Sequence, residues 1–169
     1  GEPARAEVRG GNVEFFGATV DKPIRLTASL SATGANFSIR KGFGDNRFAA
    51  PIYQVGERFA IDQEIGSTAT FSGGGTFVGP VHFYPEKTDL RTMTIEGAPF
   101  VQPTWGDRNK AFRFYGKTDL HLKNQGNLMY IELGAAQNGG GSSLHCWTNN
   151  VLDYQCDIIL GYGSTMDIH

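Results

Sequence analysis

The sequence predicts an all-β fold, an antiparallel β-sandwich or closed β-barrel of about ten to twelve strands with little or no helix. Three observations predict it. Short segments alternate apolar with polar residues at period two; glycine, 23 of 169 residues, recurs between them as turn punctuation; and apolar residues at helical spacing are nearly absent. A sheet of that many strands must fold over or close on itself to bury one face and manage its edges. The length suits one domain over 1–169, with 1–11 expected to be a flexible N-terminal segment.

Taken in order, Pro23 opens a strand in which Ile24, Leu26, Ala28 and Leu30 share one face, and Phe37 and Ile39 repeat the pattern after a turn containing Gly34. From Lys41 to Ile52 the alternation lapses into a loop carrying Phe43, Asp45, Asn46 and Phe48. The segment from Glu57 to Ile65 fits a strand. Gly73-Gly74-Gly75 permits a bulge or tight corner; with no Lys-Ser/Thr ending and strand on its C-terminal side, it is not a phosphate loop. Prolines at 99 and 103 make an extended loop around Trp105. Phe112 to Leu122 reads as the best strand, with Phe112, Phe114, Leu120 and Leu122 inward and Arg113, Tyr115, Lys117, Asp119, His121 and Lys123 outward. Leu128 to Ala135 buries Met129, Ile131 and Leu133, and the two strands are expected to form a hairpin with Lys117 across from Glu132. Two more strands follow, 144–148 and 155–162, and the chain ends on a strand over 165–168.

Charge and hydropathy exclude two classes of partner. A net charge of −2 with scattered basic residues offers no positive stripe for nucleic acid, and the apolar runs are far too short to insert in a membrane. Gly1-Glu2-Pro3 is no translation start, which points to a removed signal peptide or a tag scar. Cys146 and Cys156 have the wrong spacing for CxxC chemistry and are expected to form a disulfide between neighbouring strands, hence a secreted, periplasmic or cell-surface protein.

Few residues carry chemistry. His82, His121 and His145 lie in predicted strands, but no His-x-His or His-x₃-His spacing accompanies them, so neither metal nor other cofactor is expected. No serine sits in a Gly-x-Ser-x-Gly elbow, and Cys146 points away from its neighbour His145. Asp119 and Glu132, with His121 and Tyr130, would form a two-carboxylate catalytic face if the hairpin register placed the acids opposite one another. Trp105 beside Asp107 and Arg108, together with Phe43, Asp45 and Asn46, forms the candidate ligand-binding set, because a loop tryptophan among polar groups stacks on sugars or peptides.

The absence of a catalytic signature favours a non-catalytic extracytoplasmic binding or surface/envelope assembly module whose ligand is a glycan or a protein. The alternative is a small β-barrel hydrolase, lyase or isomerase working through Asp119, Glu132, His121 and Tyr130. A third reading, a carrier of an apolar small molecule, is weakened by large inward phenylalanines that would fill a barrel.

Overall fold

Alternation gives each strand one apolar face, and the structure buries those faces around a common axis rather than between two antiparallel layers. The computed structural model describes residues 6–8, 12–26, 36–41, 44–55, 59–64, 66–84, 89–103, 109, 111–134, 141–147, 156–161 and 163–169. Its strands follow one another from sheet to sheet. β1 (Ala6–Val8), β2 (Asn12–Phe16) and β3 (Thr19–Val20) start sheets A, B and C; β4 (Ile24–Leu26), β5 (Asn36–Arg40) and β6 (Asn46–Phe48) stack on them. β7 (Ile52–Gln54), β8 (Phe59–Gln63) and β9 (Thr68–Phe71) form the next rung, and β10 (Gly75–Phe77), β11 (Val81–Tyr84) and β12 (Arg91–Ile95) the one after. β13 (Phe100–Val101), β14 (Phe112–Phe114) and β15 (Thr118–Leu122) complete another. Sheets B and C continue through β16 (Met129–Leu133) and β17 (Ser143–Cys146), then β18 (Cys156–Leu160) and β19 (Thr165–Ile168).

Among the described residues every strand pairing is parallel, so the fold is a parallel β-solenoid and not the antiparallel sandwich or closed barrel that the sequence predicts. Parallel neighbours require a long crossover, and here the crossover is the remainder of each rung. Its length is uneven: the partners Phe112 and Ile131 are 19 positions apart, whereas Val81 and Phe112 are 31 apart.

The interior is a column of stacked aromatics. Phe48 and Phe71 stack at 4.6 Å between ring centroids and Phe83 and Phe114 at 4.2 Å, while Phe77 meets Phe112 edge-on at 5.1 Å. Such offset and edge contacts add to the area they bury.

Corners are closed by polar side chains that accept or donate to backbone left unpaired where a strand ends. Asn127 accepts from the Phe100 backbone N–H at 2.9 Å and pairs reciprocally with Asn124, which donates to the Ala98 carbonyl. The segment 123–127 is therefore a corner from sheet C toward the level of sheet A, not a hairpin turn. Glu132 lies across from Arg113, with an ion pair of 2.9 Å, rather than from Lys117. Leu160, expected inside, is 37% exposed because β18 is the last strand of sheet B.

The predicted disulfide is corrected as well. β17 and β18 belong to different sheets, and Cys146 is a free, buried thiol paired in register with Leu122 and Ile168. The argument for export from that bond falls with it. Burial pushes the Cys146 thiol up to about 12, so little thiolate forms at neutral pH. In a Cys156→Ser variant, native Cys146 is expected to react with a thiol reagent at least roughly 10³-fold more slowly than in denaturant, because reaction requires opening of the core. Equal rates in the two states would place Cys146 at the surface.

Candidate functional site

Outward residues of sheet C line up in rows because a parallel ladder puts side chains of successive rungs directly above one another, about 4.8 Å apart. One row runs through Thr70, Thr94, His121, His145 and Asp167. A second runs through Thr68, Thr92, Asp119, Ser143 and Thr165. Beyond the strand ends the ladder continues, since the Lys123 N–H donates to Ile95, Trp147 to Leu122 and His169 to Cys146. Lys123, Trp147 and His169 thus form a third row beside the histidines.

The rows converge on Asp119. Its Oδ2 accepts from His121 Nε2 at 2.9 Å, and its Oδ1 accepts from the Ser143 hydroxyl at 2.7 Å and lies 3.1 Å from His145 Nε2. The two imidazoles stack at 4.7 Å, and His145 Nδ1 is 3.2 Å from His169 Nε2. Trp147 stacks on His169 at 4.8 Å and lies 5.8 Å from His121, with the Lys123 ammonium 5.0 Å above its ring. Partial burial pushes the Asp119 carboxyl up, but hydrogen bonds from His121 and Ser143 and the charges of His121 and His145 outweigh it and hold the group below its ordinary value. Asp119 is a carboxylate at neutral pH.

Of the residues predicted from sequence, the structure brings Asp119 and His121 together and separates both from Glu132 and Tyr130, which lie on sheet B. A two-carboxylate mechanism through Asp119 and Glu132 has no geometric basis, because the Glu132 carboxylate is engaged by Arg113 on another sheet. Asn46 is buried and structural: its Oδ1 accepts from the Ala18 N–H at 3.1 Å and its Nδ2 donates to the Arg40 carbonyl at 3.0 Å. Asp45 is exposed, accepts from the Thr68 hydroxyl and lies 3.8 Å from Arg47. Phe43, Trp105, Asp107 and Arg108 lie outside the described residues.

Sequence reasoning missed Ser143 and His145 as partners of Asp119, and Trp147 and His169 as the rings beside the two histidines. The signal was present as a loose alignment of Arg91-Thr-Met-Thr-Ile95, Thr118-Asp-Leu-His-Leu122, Ser142-Ser-Leu-His-Cys146 and Ser164-Thr-Met-Asp-Ile168. In the first three the third and fifth residues are buried, in the last Met166 is partly buried and Ile168 is exposed on the final strand of sheet C, and in all four the second and fourth form the rows.

The chain matches no protein-family model, no curated protein and no solved structure, so function has to come from the geometry itself.

Proposed function

We propose that this chain is a non-catalytic binding module that takes an extended, hydroxyl-rich polymer, a glycan, along the outer face of sheet C. The observation that supports this reading is the ring cluster of Trp147, His121, His145 and His169, set beside Asp119, Ser143 and Lys123 on adjacent parallel strands. Flat rings offer apolar faces to sugar rings, while carboxylate, hydroxyl and ammonium groups pair with sugar hydroxyls. The rows of Thr68, Thr70, Thr92 and Thr94 extend the polar face across two further strands, and an extended polymer needs such length. The rigid ladder fixes these groups before a ligand arrives, which lowers the ordering cost of binding.

A glycan array followed by calorimetry with the best ligand tests the reading. Trp147→Ala is expected to weaken binding at least tenfold, equivalent to about 1.4 kcal/mol, without changing the far-UV circular dichroism. An array without binding, or a glycan held equally well by Trp147→Ala, would remove the proposal.

A further inference from the structure

We infer that Asp119, His121 and His145 form a site for one divalent transition-metal ion of the zinc class, within the face of sheet C proposed above to take a glycan but testable without one. One ligand atom from each of the three residues can be chosen such that all lie within 4.8 Å of one another. The closest approaches are 2.9 Å, from His121 Nε2 to Asp119 Oδ2, and 3.1 Å, from His145 Nε2 to Asp119 Oδ1. Tetrahedral coordination with bonds of about 2.0–2.2 Å spaces its ligand atoms about 3.3–3.6 Å apart. The two acid–imidazole contacts therefore open by well under about 1 Å, and the two imidazole nitrogens, within 4.8 Å of each other, settle at the same spacing, to accept an ion.

The backbone supplies the preorganisation. Asp119 and His121 alternate on β15 and so share its outer face, and His121 is in register with His145 on the parallel neighbour β17. Their partners complete the design of a metal site. The Ser143 hydroxyl donates to Asp119 Oδ1 and fixes the carboxylate, and His145 Nδ1 faces His169 Nε2. With Nδ1–H donated to His169, Nε2 of His145 keeps its lone pair for the ion, as ligating histidines require. The Asp167 carboxylate, 3.6 Å from His145 Nδ1, adds negative charge behind the same ring.

Donor chemistry selects the ion. Two imidazoles and one carboxylate suit Zn2+, Co2+, Ni2+ and Cu2+, whereas Ca2+ and Mg2+ take oxygen ligands in larger number. Three protein ligands leave one coordination position for water or an exogenous group. In the absence of any metal affinity, the same residues would be a hydrogen-bonded His-Asp-His cluster, and titration separates the two cases.

The test uses the full chain without a histidine tag, stripped with chelator, and no glycan. Calorimetric titration with ZnCl2 is expected to show one ion per chain with micromolar or tighter affinity, and Co2+ or Cu2+ to quench tryptophan fluorescence with the same stoichiometry. His121→Gln, His145→Gln and Asp119→Asn, all at outward positions, should each weaken Zn2+ at least 100-fold with an unchanged circular dichroism spectrum. His169→Gln should weaken it about tenfold, as loss of an orienting partner does. Saturable Zn2+ binding that survives the three ligand substitutions would overturn the assignment. So would the absence of saturable binding at millimolar Zn2+, or displacement of Zn2+ by equimolar Ca2+.

Discussion

Replacing Phe112 by alanine is expected to destabilise the fold by about 3–5 kcal/mol, a large part of the stability of a chain this size. Phe112 is 1% exposed on β14 and bridges two sheets: its ring meets Phe77 and Phe100 of sheet A and Phe83 of sheet B, at 5.1, 5.9 and 6.1 Å. Truncation removes the apolar area and leaves a cavity whose walls are backbone rungs held by parallel ladders on both sides. Such walls cannot collapse inward without breaking ladder bonds, so the cost falls in the upper part of the range for phenylalanine. Denaturant unfolding followed by circular dichroism measures it. Tyr53→Ala, at an outward position 43% exposed on β7, is the control and should shift stability by less than about 0.5 kcal/mol. Equal midpoints for the two variants would mean that Phe112 does not occupy the column.

The inward and outward faces were legible in the sequence because period two is a property of a strand and not of the sheet it joins. Phe112, Phe114, Leu120, Leu122, Met129, Ile131 and Leu133 are all buried as the alternation predicts, and Arg113, Asp119 and His121 stand on the outer faces. Chain direction was not legible, for a specific reason. The segment from Phe112 to Leu122 reads as one strand, yet it turns from sheet B to sheet C at Tyr115–Lys117. Gly116 and Thr118 remain on the buried parity through that corner, with the Thr118 hydroxyl donating to the Gly116 carbonyl and its N–H donating to Ser142 Oγ. Alternation continues unbroken while the backbone changes sheet, and a hairpin and a solenoid corner then look alike.

The site was half legible for the same reason. Asp119 and His121 stood out as outward titratable groups two residues apart, but a hairpin supplied the wrong neighbours, Glu132 and Tyr130. In a parallel rung the neighbour of residue 121 is residue 145, and the spacing rules for metal and catalytic clusters look for partners much closer in sequence. Uneven rungs, 19 residues in one case and 31 in another, also hide the repeat from a search at fixed period.

The glycine triplet gives the sharpest test of the solenoid itself, and Gly74→Ala is expected to cost about 2–5 kcal/mol. The triplet turns the chain from β9 to β10, between the corner at Ala50-Pro51 and that at Ala98-Pro99. Gly74 has φ of +71°, where a side chain costs about 1–2 kcal/mol, and a Cβ there would lie 2.6 Å from the Pro99 carbonyl oxygen and 2.9 Å from Ala98 Cβ. The corner cannot move away freely. The Gly74 carbonyl accepts from the Ile52 N–H at 3.1 Å and the Gly75 N–H donates to the Pro99 carbonyl at 3.1 Å, so any shift that relieves the overlap loosens a bond to a neighbouring rung. Two other glycines separate backbone strain from crowding. Gly163 has φ of +73° with nothing within 4 Å of a built Cβ, so Gly163→Ala should cost only the backbone part, about 1–2 kcal/mol. Gly44 is exposed, lies outside the left-handed region and also has nothing within 4 Å, so Gly44→Ala should be within about 0.5 kcal/mol of the parent. The expected order in denaturant midpoint is Gly44→Ala, then Gly163→Ala, then Gly74→Ala well below both. If Gly74→Ala costs no more than Gly163→Ala, no neighbouring rung presses on that corner, and the stacking of parallel rungs described for this chain is wrong there.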